Sequence, residues 1–269
     1  MKYSIITINY NNRDGLRNTI ESVINQSFHD YEFIIIDGGS NDGSRELIEQ
    51  YEKHISYWVS EPDKGIYNAM NKGIRVSNGE YLNFMNSGDT FYSSDVLTSI
   101  EKELDNYDII VGKEYHQNPD TGESATTFLP TRLSMVTFFV SYLPHQSGFI
   151  KRTLFKDNLY DENLRIVGDW KFYMQQIVSF ERTAKLTDII VSKREQGGIS
   201  NANSSLNNEE RLKVLHEILP IGVYKDYDSL AKLDKTTLYK LLDLCENKNT
   251  CKWLTYCIKI INRIKKYIS

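Results

Sequence analysis

The sequence predicts an α/β fold with a mainly parallel central sheet flanked by helices and a helical C-terminal extension. Three observations carry this reading. Short β-branched apolar runs alternate with helically spaced apolar residues between positions 3 and 111. Polar and Gly-containing segments fall just after those runs, and regular helical spacing returns only beyond about residue 205.

Taken in order, Tyr3 to Ile8 is a short apolar run of the kind found in a strand buried on both faces, and Asn9 to Asp14 breaks it. Leu16, Ile20, Val23 and Ile24 then recur at helical spacing, and Tyr31 to Ile36 forms a second buried strand, completing a β-α-β unit. The alternation continues as helix 45–51, strand 56–59, helix 66–76, strand 81–85, helix 95–104 and strand 108–111. Beyond Gly112 the rhythm is lost, and residues 113–200 mix short strands, loops and one good helix near 169–178. Three helices follow, at 206–219, 229–245 and 251–268. The expected division is one domain over 1–200, with a regular half at 1–112 and an irregular half at 113–200, followed by a helical region over 201–269.

Composition fits a globular protein: of 269 residues, 40% are hydrophobic and 25% charged, which excludes disordered and collagen-like classes. Net charge is -4, so no global basic field points to nucleic acid. The balance is uneven, because Lys252, Lys259, Arg263, Lys265 and Lys266 stand in the last 19 positions with no acid. Cys245, Cys251 and Cys257 form neither a metal knuckle nor an even disulfide set, which suits a reducing compartment. No apolar run reaches the ~18 residues of a spanning helix. A cytoplasmic protein is expected, with a membrane surface as a candidate contact.

In doubly wound sheets, ligands bind beyond the carboxyl ends of the strands. Those ends read Thr7-Ile8-Asn9-Tyr10-Asn11-Asn12, Asp37-Gly38-Gly39-Ser40-Asn41-Asp42-Gly43-Ser44 and Asn86-Ser87-Gly88-Asp89. Any one of them could be a turn with a helix cap, whereas three at one edge point to a polar ligand. Asp37 follows an apolar run directly, where a carboxylate is costly unless it accepts hydrogen bonds from a ligand or from backbone. Ser40 stands where a G-x-G-x-x-G fingerprint needs its second Gly, which disfavours a dinucleotide oxidoreductase.

These segments, together with Glu61 to Gly73, Pro144-His145-Gln146-Ser147-Gly148, Val167-Gly168-Asp169-Trp170 and Gly197-Gly198-Ile199-Ser200, resemble the inverting, nucleotide-sugar-dependent glycosyltransferases of family two. The later segments are similar to the branch that builds bacterial surface polysaccharides. The resemblance implies a GT-A fold, in which 1–200 is the catalytic domain, 1–112 its Rossmann-like nucleotide-sugar-binding half and 113–200 its acceptor-side half. It implies that Thr7, Asn9 and Tyr10 line the nucleoside pocket and that Asp37 accepts the uracil N3 hydrogen. Asp63, Lys64 and Asn68 would lie near ribose and diphosphate, with Ser87 and Gly88 in the same donor site. Asp89 corresponds to the last carboxylate of a D-x-D motif that binds a divalent metal, Mg or Mn, and Asp169 falls where the family's base sits. The sequence departs from the pattern in lacking the usual Pro in the first segment, in Gly38 for the second Asp of D-D-G-S, in keeping one metal-motif carboxylate, and in Gly168 for the usual Glu.

The implied activity is metal-dependent inverting transfer from a nucleotide diphosphate sugar, a UDP-sugar by the Asp37 argument, to a saccharide or lipid-linked saccharide. The alternatives are a sugar-phosphate nucleotidyltransferase, which would need a Gly-rich, Arg- and Lys-bearing triphosphate loop that is not evident, and a non-catalytic binding or scaffold protein of the same fold. Several residues admit two readings. Asp169 is a base or an N-cap, and His145 is a metal or phosphate ligand or a structural loop residue. Gly197, Gly198 and Ser200 form an ordinary turn or a loop over the diphosphate. At 100° per residue, Trp253, Cys257, Ile260, Ile261, Ile264 and Ile268 share one face of the last helix, opposite its cations. That face packs on the domain or lies on a membrane.

Overall fold

The structure, a computed structural model, describes residues 1–104, 106–117, 121–194, 203–246, 250–252 and 255. The expected alternation is present: β1 (Tyr3–Asn9), α1 (Arg13–Ile24), β2 (Tyr31–Asp37), α2 (Ser44–Gln50), β3 (Tyr57–Ser60), α3 (Ile66–Val76), β4 (Tyr81–Phe84), β5 (Thr90–Phe91), α4 (Val96–Glu101) and β6 (Ile109–Gln117). There follow β7 (Ser124–Thr126), α5 (Met135–Val140), β8 (Gly148–Lys151), α6 (Gly168–Met174) and β9 (Ala184–Lys193). The C-terminal helices are α7 (Ser204–Ile218), α8 (Ile221–Leu230) and α9 (Lys235–Glu246).

The strands form one sheet in the order β3-β2-β1-β4-β8-β6-β9-β5, with β7 paired to β6. The stretch β3-β2-β1-β4 is parallel throughout, as β-α-β connections require, and β8 then runs antiparallel to both β4 and β6. Strand periodicity explains why the apolar runs are continuous. Ile6, Ile8, Ile34 and Ile36 point into a core covered by α3, α5, α6 and α7, whereas Ile5, Phe33 and Ile35 point into a core covered by α1, α2 and α4. Val214 and Leu215 of α7 belong to the first of these cores, so the packing crosses the expected boundary at residue 200.

Two expectations are corrected. The helix expected at 229–245 is two helices, because Asp234 starts a new one. Its Oδ1 accepts from Thr237 N at 2.9 Å and its carbonyl from Leu238 N at 2.9 Å, while Tyr224 N donates to Pro220 O at the start of α8. The helix expected over 169–178 changes to π geometry after Met174, with Phe180 N donating to Gln175 O at 2.9 Å. Gly197, Gly198, Ser200 and most of the 251–268 segment lie outside the described residues.

Candidate active site

Asn9, Asp37 and Ser60 end neighbouring parallel strands at one level, because the register pairs Asn9 with Asp37 and Asp37 with Ser60. Their side chains therefore meet. Asn9 Nδ2 donates to Asp37 Oδ1 at 2.7 Å, and Ser60 Oγ donates to Oδ2 at 2.6 Å. Ser40 adds its Oγ to Oδ1 at 2.6 Å and its backbone N to Oδ2 at 2.9 Å. Asp37 is 0% exposed, and these four donors stand in for the water it has lost. Both of its oxygens are thus engaged within the chain, so Asp37 organises the strand-end row where the resemblance implies a direct acceptor for uracil. Thr7 lies behind the row, fully buried, with Oγ1 donating to Met85 O at 2.7 Å. The turn reading of this segment fits Asp42, whose carboxylate accepts from Ser44 N at 3.0 Å and Arg13 N at 2.8 Å, while Gly43 holds the N-cap position of α2 without a side-chain cap.

Gly38, next after Asp37 along the chain, lets two side chains approach its backbone closely. A Cβ on it would lie 2.6 Å from Asp63 Oδ2 and 3.1 Å from Tyr10 Cδ2. The bare backbone of Gly38 is therefore flanked by a ring that is 68% exposed and by a carboxylate whose other oxygen accepts from Gly65 N at 2.9 Å. Lys64 is exposed, and its backbone N donates to Asn68 Oδ1 at 3.2 Å. Asn68 Nδ2 in turn donates to Glu162 Oε2 at 2.8 Å, tying α3 to the segment before α6.

After β4 the chain makes the tight turn 86–89. Gly88, at φ +100°, occupies a conformation that suits glycine, and its N donates to Thr19 Oγ1 at 2.9 Å. Ser87 contributes its carbonyl to Asn12 Nδ2 at 3.2 Å. The Asp89 carboxylate is buried, with Oδ2 accepting from Gln146 Nε2 at 2.8 Å. Among the described residues no three His, Cys, Asp or Glu side chains cluster as a metal site. Asn86 Oδ1, three residues from Asp89, is buried without a protein partner, as is Asn9 Oδ1. One carboxylate and a neutral amide oxygen in one turn are hard oxygen donors of the kind Mg²⁺ accepts, with phosphate oxygens and water completing the shell.

Asp169 comes to this edge from the far side of the sequence. Gly168 begins α6, and a Cβ there would meet the Tyr67 ring at 2.7 Å, so α6 abuts α3 closely. Tyr67 Oη donates to Asp169 Oδ1 at 2.7 Å. The N-cap position belongs to Val167, which offers no side-chain cap, so the N-cap reading of Asp169 is corrected. Burial, and then the Asp169 charge, push the Tyr67 hydroxyl well above its ordinary range. His145 is buried with its ring stacked on Phe84 at 5.2 Å, and Nε2 has no partner. Burial pushes its imidazole pKa down, opposed by the charge of Asp169. His145 thus feels Asp169 while its neighbour Gln146 holds Asp89. Ser60, Tyr67 and Gln146 are not among the sequence candidates, nor are Glu210, whose carboxylate accepts from the 165–167 backbone before α6, and Arg211, which stacks on Trp170. Tyr67 and Gln146 lie inside the quoted motifs and Ser60 at a strand end, whereas nothing in the sequence marks Glu210 or Arg211.

Comparison with known proteins agrees with this arrangement. The chain is 32% identical over 185 residues to an uncharacterised glycosyltransferase of Mycobacterium tuberculosis, covering 64% of this chain and 67% of that one. It is 25% identical over 232 residues to the PGL/p-HBAD biosynthesis glycosyltransferase of the same organism, covering 82% and 86%. The crystal structure of S. aureus TarS 1-349 in complex with UDP-GlcNAc shares the fold, with a TM-score of 0.64 at 18% identity over 80% of this chain and 64% of that one. The profile of glycosyl transferase family 2 matches residues 4–178, from the first strand through the helix that carries Asp169. The sheet order, the strand-end row and this match together establish that the chain belongs to glycosyl transferase family 2, with a GT-A-like fold.

Proposed function

We propose that the protein transfers a sugar from a UDP-sugar to a saccharide or lipid-linked saccharide acceptor, with inversion at the anomeric carbon, in the building of a surface glycan. Asp169 is the base, and a divalent cation is required. The observation that carries the reading is that two carboxylates 80 positions apart are held by side chains that pack together: Gln146 bonds Asp89, Tyr67 bonds Asp169, and the Tyr160 ring lies against both the Tyr67 ring and that of His145, the neighbour of Gln146. Support for a UDP donor comes from TarS, solved with UDP-GlcNAc, and for a glycan product from the PGL relative.

On this reading Asp63 and the Tyr10 ring receive the base across Gly38, and Asp37 acts from behind by holding Asn9, Ser40 and Ser60. Thr7 backs this row. Lys64, Asn68, Ser87 and Gly88 border the ribose and diphosphate. A divalent cation, Mg²⁺ or Mn²⁺, would be held by Asp89 and the Asn86 side-chain oxygen, and would supply positive charge against the departing diphosphate. The acceptor hydroxyl oxygen bonds to C1 from the face opposite the diphosphate, and its proton passes to the Asp169 carboxylate. The C1–O bond breaks with its electron pair leaving on UDP, so one displacement inverts the centre.

Asp169→Asn tests the base. UDP release from a UDP-sugar should fall by about 10² to 10⁴, while UDP affinity by calorimetry and the melting temperature stay near native. Turnover at the native rate would remove Asp169 from catalysis. For the metal, Asp89→Asn and chelator treatment of the unaltered protein should each abolish turnover, and added Mg²⁺ or Mn²⁺ should restore only the latter. Turnover that persists in excess chelator rejects the requirement.

A further inference from the structure

The segment that delivers Asp169 is held from a distant part of the chain. Arg165, Ile166 and Val167 present three consecutive backbone N–H groups to Glu210 on α7. Oε1 accepts from Arg165 at 2.7 Å, and Oε2 accepts from Ile166 at 2.9 Å and Val167 at 3.2 Å. These groups belong to the turn that leads into α6, whose N-cap is Val167 and whose first residue is Gly168, and backbone N–H groups withdrawn from water must find an acceptor. Here the acceptor lies 43 to 45 positions away and is 7% exposed. Burying a carboxylate is costly unless it accepts several hydrogen bonds, and these three N–H groups supply them. What the distant carboxylate adds is a fixed position of the 165–169 backbone relative to α7.

The same helix grips α6 a second time, through the Arg211 guanidinium stacked 4.8 Å from the Trp170 ring centroid and donating to Ser141 O at 3.2 Å. On the other side stands Tyr67. Asp169 is only partly buried, and a carboxylate in the first turn of a helix has several accessible rotamers. The 2.7 Å bond from a hydroxyl on a packed ring selects one of them.

We propose that Glu210 and Tyr67 are positioning residues for sugar transfer, Glu210 fixing the backbone that carries Asp169 and Tyr67 fixing the orientation of its carboxylate. The inference rests on Asp169 being the base. It extends the working site to a helix of the C-terminal region, beyond the 4–178 span of the family match.

Three variants decide it, with UDP release measured on whichever of UDP-glucose, UDP-galactose and UDP-N-acetylglucosamine the unaltered protein hydrolyses fastest. Tyr67→Phe removes one hydroxyl and should lower kcat about 10- to 100-fold, leaving the KM for that UDP-sugar, the UDP affinity and the melting temperature unchanged. Glu210→Gln turns one acceptor oxygen into a donor. It should lower kcat by a similar factor and speed hydrogen exchange at the 165–167 amides, again with UDP affinity retained. In an Asp169→Asn background, adding Tyr67→Phe should cause no further loss. If Asp169→Asn is inactive while Tyr67→Phe and Glu210→Gln keep native kcat, the base stands and the positioning roles are rejected. Losses of kcat matched by equal losses of UDP affinity and melting temperature would reduce both residues to general structural roles. If Asp169→Asn keeps native turnover, the base assignment fails and the positioning proposal falls with it.

Discussion

A carboxylate that ends an apolar strand must find donors, and Asp37 finds four within its own chain. Asp37→Asn should therefore act on the fold first, because an amide nitrogen would face donors it cannot accept from. A hydrogen bond to a charged group contributes about 1.5–3 kcal/mol, so a loss of at least ~2 kcal/mol in urea unfolding is expected. Asp63→Asn should leave stability untouched and weaken UDP binding about tenfold, since its Oδ2 lies beside the bare backbone of Gly38 and the exposed Tyr10 ring, while Oδ1 keeps its bond from Gly65 N. Equal UDP affinity in Asp63→Asn and the native protein would reject the base-facing role. The importance of positions 7–10, 37–44 and 86–89 was legible in the sequence, because strand ends are where such sheets bind ligands. The saturation of Asp37 was not legible, since its partners Asn9 and Ser60 become neighbours only through strand register. Tyr67 and Asp169, 102 positions apart, meet only because Gly168 lets α6 approach α3.

Among the elements, the strands and helices of residues 3–111 could be read because strands buried on both faces give unbroken apolar runs and the intervening helices are amphipathic. Later elements carry weaker signals. β5 has two residues, and β9 mixes buried and solvent-facing side chains along ten residues that include three charges. The break between α8 and α9 rests on a single capping Asp inside an otherwise helical composition. α3 illustrates how packing decides the fate of an element. A Cβ on Gly73 would come within 2.5 Å of the Cγ2 of Ile6, a fully buried β-branched residue of β1. Alanine raises helix propensity by about 1 kcal/mol over glycine, but overpacking a core costs about 1–3 kcal/mol. Gly73→Ala should therefore be net destabilising in urea unfolding. Because α3 carries Tyr67 and Asn68, turnover should fall alongside. A stabilised variant would mean that α3 and β1 have room to separate.

At the scale of the whole molecule, charge is unevenly spread, with five cations and no acid in residues 251–269. Among the described residues no helix is long and apolar enough to cross a membrane. The helical spacing that puts Trp253 and four Ile residues on one face of the last segment is a sequence pattern, and it motivates a surface test. Each basic residue near an anionic surface contributes about 1 kcal/mol, screened by salt. Full-length protein should sediment with anionic vesicles at low salt and release at high salt, whereas protein ending at Asn249 should not bind yet should still hydrolyse donor. A full-length protein that ignores vesicles, with a truncated form that aggregates, would assign that face to intramolecular packing. The dependence of residues 165–167 on Glu210 also sets an order of events during synthesis. The strand-end row of Asn9, Asp37 and Ser60 is encoded within the first 60 residues, but the 165–167 N–H groups lack their acceptor until α7 has been made and Val214 and Leu215 have entered the core. In chain order, every residue proposed to hold the nucleotide and its metal, the last of them Asp89, thus precedes by about 120 positions the carboxylate that anchors the segment bearing Asp169.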